Sequence, residues 1–573
     1  MKICRWFEWG WFEWLDFARG TVLPLGIGRL CWFGLFAGCW ICTAFQLHAN
    51  VYATNVRING SAAGVTLYYP CFTVEISYLL NESASAGVTI DFLDGDTVRH
   101  SIFLPGGSPE TERGEHRISW NGKNAQGENV PFVPYTVRLT AASRGHDTWT
   151  QISDDSNPGN SAWEPTSIAV NRNTNSPHYG RIFLANASLG PSPDFNLSDQ
   201  VGILMLNADG SRPSEATNTT GGWNWAGEGR SPGKLEVSED DFLYVNDPAR
   251  KVVLRFDQGL SSASRRVVLR EDHLPEDANF DGLAITGRGA NACLWMADRN
   301  PAGSLGIRRW QLLGDGTVAE GDLGATVVQA GGDSDLTIAP CDVALDASNR
   351  IYTIQYRDAV LDSAPRLLSF PPYPHAAPAL TNAVWQRFSS VTTPMRGAAG
   401  VAVDPTGRFV AVAFAGATNN GSRTGGRTIL FEATTGDTVV SFVTGVPGEE
   451  SHDHLDVAWD NAGNLYTVDH EEGVWRVYSP PGSNAAVTHA VGQLRLATPP
   501  LAPILETVGF ANGYFQFNLT GRTNLDYIIQ ASTNLLHWSP VATNSDVCAT
   551  RLISIAPQGP RNFYRATPSV IIP

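Results

Sequence analysis

Residues 451–460 read SHDHLDVAWD. Imidazoles interleaved with carboxylates are the side-chain chemistry of a metal site. Oxygen ligands suit Ca²⁺ or Mg²⁺, and histidine shifts the preference toward transition metals. Asp453 and His454 form the candidate metal pair, and a divalent cation, Ca²⁺ or another, is the only cofactor this chemistry calls for. Around that pair stands a wider candidate ligand set: Glu164, Asp281, Asp342, Arg396, His452 and Asp456. The competing reading is a polar rim that only faces water. Other catalytic signatures are missing from the sequence: no Gly-x-Ser-x-Gly elbow, no His-Glu-x-x-His, no phosphate loop and no dinucleotide fingerprint. No catalytic residue is therefore assigned.

The elements that must position these residues are visible as a repeat. DVAWDNAGNLYTVD (456–469) recurs as DVALDASNRIYTIQ (342–355) and GVAVDPTGRFVAVA (400–413). Weaker copies start at Ser167, Lys234 and Gly282. The first core positions are Ile168, Leu235, Leu283, Val343, Val401 and Val457, spaced 67, 48, 60, 58 and 56 residues apart. Such periods, with several strands per unit, predict a six-bladed β-propeller. The xVAVD piece is the inner strand, and its alanine (169, 284, 344, 402, 458) suits a crowded axis. Asp346, Asp404 and Asp460 fit a turn whose backbone N–H groups they accept. Asn349, Gly407 and Gly463 stand where a positive φ is needed. His454 falls where Pro165, Pro232 and Pro340 stand in other copies, just before the inner strand, which predicts the mouth of the central channel. Asp247, Asp298 and Asp469 close the second strand of three copies and read as turn caps. DTWTQIS (147–153) is expected to pair with the last blade near GQLRL (493–497).

On these repeats the chain resembles the NHL and gluconolactonase-like six-bladed propellers over about residues 150–495. That resemblance implies a channel-mouth metal held by acidic residues and Asn, a set without a one-to-one counterpart in this sequence. Upstream, Trp120, Asn121, Gly122, Gly127 and Tyr135 resemble the Ig-like domain of flagellar hook-capping proteins, with Pro134 in place of the usual Gly. Downstream, Tyr527, Gln530–Asn534, Trp538 and Phe563–Arg565 resemble a small module of secreted planctomycete and verrucomicrobial proteins. The expected fold is all-β: an Ig-like β-sandwich at 54–143, a six-bladed propeller at 147–497 and a small C-terminal β-domain at 503–573.

Bulk properties narrow the function. The formal charge of −16 disfavours nucleic acid as a partner. After the leader the only lysines are Lys123, Lys234 and Lys251. Residues 1–53 read as a leader: Arg19 and Arg29 precede the apolar run 30–45, followed by small residues at Ala49 and Ala53. The protein is therefore expected to be secreted or held at the cell surface, touching a membrane only through an uncleaved leader. Cys71, Cys293, Cys341 and Cys548 are widely scattered, without a Cys-x-x-Cys. GWNWAGEG (222–229) suits either sugar stacking or the plugging of a blade edge. Binding of a protein or a carbohydrate is the first functional expectation. A metal-dependent hydrolase or lactonase at the channel mouth is the second, and a cell-envelope scaffold the third.

Overall fold

The computed structural model describes residues 51–68, 73–188, 201–225, 231–276, 278–300, 303–355, 366–374, 378–388, 398–415, 417–419, 422–424, 426–442, 453–497, 503–521, 526–544, 550–557, 559 and 562–568. Arg396, His452, Cys71, Cys548 and residues 1–50, the expected leader up to Asn50, lie outside them. Among the described residues the only helical segments are four single turns of 3-10 helix. The all-β expectation holds.

The six repeats fold as six blades. Their inner strands are Pro165–Val170, Leu235–Val237, Phe280–Thr286, Pro340–Leu345, Ala398–Val403 and His454–Trp459. Each pairs antiparallel with the second strand of its own blade. Each also packs against the inner strand of the next blade, and the sixth packs against the first, so the ring closes. The apolar core lies between blades rather than on the axis, as one buried cluster per blade interface. Trp225 and Phe256 fill the gap between blades 1 and 2, and Trp475 with Leu184 the gap between blades 6 and 1.

The turn chemistry follows the sequence. Asp346 Oδ1 accepts the N–H groups of Ser348 and Arg350 at 2.8 and 3.0 Å. Asp460 Oδ1 accepts that of Asn464 at 2.9 Å. Asn349, Gly407 and Gly463 share positive φ values of 62°, 70° and 84°. Asp298 accepts the N–H groups of Asn279 and Leu305 at 2.8 and 2.7 Å, as a turn cap should. In the GWNWAGEG loop, Trp225 is buried between blades and Trp223 Nε1 donates to Asp247 at 2.8 Å. The indoles plug a blade edge; residues 226–230 lie outside the described residues.

The closure differs from the expectation. Thr150–Gln151 does complete the last blade, but on Tyr478–Ser479 rather than near residues 493–497. Trp149 pins the clasp edge-on against Phe409, Phe442 and Trp459, at 6.2, 5.6 and 6.1 Å between ring centroids. The following strands, Gly482–His489 and Leu494–Ala497, leave the propeller and pair with Pro134–His146 of the N-terminal module. The reason is burial. Ala490, Leu494 and Leu496 alternate into the sandwich core, where their apolar area is removed from water.

That sandwich stacks Ala53–Ile58, Val74–Leu80 and Gly114–Trp120 on a sheet built around Pro134–His146 and Gly87–Asp94. Its signature residues build one corner. Trp120 Nε1 donates to the Lys123 carbonyl at 2.8 Å, Tyr135 OH donates to the Pro131 carbonyl at 2.6 Å, and Gly122 and Gly127 take φ of 74° and 80°. Val51, Tyr52 and Ala53, expected in the leader, are fully buried here, and the Tyr52 N–H donates to Asn81 at 2.8 Å. The sandwich sits directly on the propeller. Tyr52 packs on Tyr179 at 5.3 Å, and Arg113 donates to the carbonyls of Ile152, at 3.1 Å, and Asp209.

The C-terminal module holds two three-stranded sheets around Phe517, Leu519, Tyr527 and Ile529. Its signature residues form another corner, with Arg565 donating to Gln530 at 2.7 Å and lying over Trp538 at 4.4 Å. Cys293 and Cys341 are both free and buried, consistent with small core residues.

Candidate functional site at the propeller axis

One residue precedes the first core position in every inner strand. Around the ring these are Ser167, Lys234, Gly282, Asp342, Gly400 and Asp456. Small residues alternate with long or charged ones, so each large side chain has room over its neighbour. A Cβ on Gly282 would come within 2.4 Å of the Asp342 Cα, and one on Gly400 within 2.6 Å of Asp456 Oδ1. Asp342 and Asp456, both expected here, are thus brought together. Between them reaches a residue the sequence reading left out: Lys234 Nζ donates to Asp342 Oδ2 at 2.8 Å and to Asp456 Oδ1 at 2.5 Å.

The carboxylates also stitch blades together. Asp342 Oδ2 accepts the N–H of Val401 in the next blade at 2.9 Å. Asp456 Oδ2 accepts the Ile168 N–H at 3.1 Å and the Ser167 hydroxyl. Ser167 Oγ in turn accepts the Leu235 N–H at 2.9 Å. Burial works against the Lys234 charge, but the two carboxylates outweigh it and hold the ammonium charged far above its usual range. Burial pushes Asp342 up to about 6 despite the pull of Lys234. A cation at this end of the channel would have to displace the lysine.

The remaining expected site residues lie elsewhere. Asp281 pairs with Arg299 at 2.7 Å, and burial pushes its carboxyl up to about 7. Glu164 sits at φ 45° just before the first inner strand. His454 does align with Pro165 and Pro340 as the repeat predicts. Its ring, however, is fully buried inside the propeller wall and does not line the channel cavity. His454 Nδ1 lies 2.9 Å from Thr428 Oγ1 of blade 5, and Nε2 lies 3.6 Å from Asp469 Oδ2. Asp469 also accepts the Asp453 N–H at 3.1 Å and pairs with Arg476 at 3.4 Å. This Thr–His–Asp–Arg chain ties blade 5 to blade 6. Among the described residues no three His, Cys, Asp or Glu side chains are grouped so as to hold a metal ion.

Next to Lys234, which forms part of its lining, the channel holds a cavity of about 70 Å³. It runs toward the C-terminal ends of the inner strands, opposite to the end where the sequence placed the mouth. Its wall carries the alanine column 169, 284, 344, 402 and 458, and at the matching place in blade 2 stands Glu236. Burial pushes the Glu236 carboxyl from 4.5 up to about 7, against the pull of Arg172 and Lys234. Arg172 lies at the exposed rim of the same cavity. Two signals for this set were present in the sequence: the break in the alanine column, and a lysine at an inner-strand start in a chain almost without lysine.

Fold and axis together define a β-propeller protein with two further β-modules. No family model and no curated protein matches the chain. Solved structures do match at low identity. A carbohydrate-active enzyme of family AA12 from Trichoderma reesei is 14% identical, with a TM-score of 0.36, over 61% of this chain and 97% of that one. The soluble aldose sugar dehydrogenase of Escherichia coli is 11% identical, with a TM-score of 0.34, over 56% and 97%. The calcium-binding protein regucalcin of Agrobacterium tumefaciens is 11% identical, with a TM-score of 0.30, over 60% and 96%.

Proposed function

We propose that this is an exported binding protein whose β-modules engage a protein or a carbohydrate outside the cell or at its surface. The observation that carries this reading is the solvent-facing apolar surface of the C-terminal module. Val508 and Phe510 on one outer strand of a sheet are 54% and 65% exposed, Leu552 on the opposite outer strand is 52% exposed, and Leu536 is 80% exposed. Phe510, paired with Phe515, and Leu552, paired with Asn518, stand on opposite faces of the sheet, so the module offers apolar contacts on both faces.

The test is capture from envelope and medium fractions, together with a glycan array, using the whole chain and a Phe510→Ser/Leu536→Ser variant. A partner or glycan retained by the parent and lost by the variant is the expected result. Equal retention by both proteins overturns the reading. So does a stoichiometric divalent cation that is lost on His454→Ala, which would favour the hydrolase instead.

A further inference from the structure

Among the described residues, every side chain that reaches the channel cavity falls into one of two groups. The first is apolar or already bonded: the alanine column, the flanking valines, and Trp459, whose Nε1 donates to the Ala402 carbonyl at 3.3 Å. The second consists of charged groups whose side chains make no hydrogen bond or ion pair with a described residue, namely Glu236 on the wall and Arg172 at the rim. On the floor, Lys234 spends two of its three N–H donors on Asp342 and Asp456, which leaves one. A half-buried carboxylate without a protein donor is costly to keep. The fold itself has no need of it, since five blades carry alanine at this position.

The charge count decides what fits. Among the described residues, Lys234 and Arg172 carry two positive charges, and Asp342, Asp456 and Glu236 carry three negative ones. The excess negative charge sits at the half-buried Glu236 on the wall, and the exposed Arg172 stands at the rim within its electrostatic reach. A ligand matching this order offers a cation inward and an anion outward. Size sets a second limit. A water needs roughly 10–15 Å³ of such space, so about 70 Å³ admits only a handful of non-hydrogen atoms. Glycine is of this size.

We infer that the propeller channel is a binding site for a small zwitterion of amino-acid type, its ammonium group on Glu236 and its carboxylate on Arg172. This inference does not depend on the partner-binding surface proposed above. It moves the ligand end of the channel to the face opposite His454.

Isothermal titration of the full chain with glycine tests it, with methylammonium, acetate and glycerol as controls, on the parent and on Glu236→Gln, Glu236→Ala and Arg172→Gln. Glycine should bind the parent. Each variant should weaken that binding by about tenfold or more, the loss expected for about 1.4 kcal/mol of lost interaction. Unchanged melting temperatures at pH 5 would show that the variants remain folded; Glu236→Ala only restores the side chain that the other blades carry. Absence of glycine binding overturns the inference. So does methylammonium, acetate or glycerol binding as tightly as glycine, or binding that survives in all three variants. Capture of a partner by the C-terminal module should not change in these variants, so the two readings can fail separately.

Discussion

At the scale of single residues, the axis depends on Lys234. Its ammonium neutralises two carboxylates whose side chains are 1% and 2% exposed. Breaking a buried ion pair from one side typically costs about 3–5 kcal/mol, because the remaining charge is left buried and unpaired. Lys234→Met should therefore lower stability by roughly that amount in urea unfolding. A loss below about 1 kcal/mol would mean that water reaches the carboxylates. Glu236 makes a prediction of opposite sense. Its folded-state value, about 7, lies above its ordinary 4.5. The protonated form is thus the one that folding favours, and stability falls as pH rises from about 4.5 to 7. In Glu236→Ala that part of the loss should vanish. The variant should match the parent near pH 4.5 and exceed it at pH 8, by up to roughly 3 kcal/mol. Glu82 and Asp281 are raised in the same direction by burial and should leave a residual slope. A parent protein more stable at pH 8 than at pH 5 would contradict the burial of these groups.

At the scale of elements, the inner strands are in register because large and small side chains alternate around the ring. Gly282 sits where a Cβ would press on the Asp342 Cα and on the Cys341 carbonyl, at 2.4 and 2.7 Å. Backbone cannot swing away as a flexible side chain would. Gly282→Ala should cost about 1–3 kcal/mol, the usual penalty of overpacking. Gly303 is the control. A Cβ there would meet nothing within 4 Å, and Gly303→Ala should be neutral to within about 0.5 kcal/mol. Equal melting temperatures for the two variants would show that the inner strands can separate to admit a methyl group. The inner-strand repeat, its turn aspartates and its positive-φ positions were all legible in the sequence, because each is set within a few residues of chain. The alternation Ser167, Lys234, Gly282, Asp342, Gly400, Asp456 was also printed there. It acquires meaning only once the six strands meet at one axis.

At the scale of the whole molecule, the sandwich and the propeller are interleaved along the chain. The sandwich starts the chain, yet its sheet is completed by Gly482–His489 and Leu494–Ala497 after the last blade. Thr150–Gln151, before the first blade, closes the sixth. A chain ended after Ser479 keeps every strand of the propeller but exposes the part of the sandwich core that Ala490, Leu494 and Leu496 cover. That chain should lose the sandwich to limited proteolysis while residues from about Trp149 onward persist. A protected sandwich in the truncated chain would show that the returning strands are dispensable. In the full chain the two units should unfold in a single calorimetric transition, since Tyr52, Tyr179 and Arg113 bind them at a shared buried contact.

The sequence by itself determined that this protein is built of strands, that six units share one template, and which residues turn the chain. Those properties depend on side-chain periodicity and on φ preferences, which act over neighbouring residues. Tertiary structure alone decided where the charges go. Asp342 and Asp456 stand 114 residues apart in the chain and Lys234 another 108 before Asp342, and only ring closure brings them within hydrogen-bonding reach. It also decided that His454 is sealed inside the wall, that residues 482–497 return to the first module, and that the channel opens at the far end. Each of these outcomes turns on which surfaces lose their water when distant segments meet, and no local pattern records that.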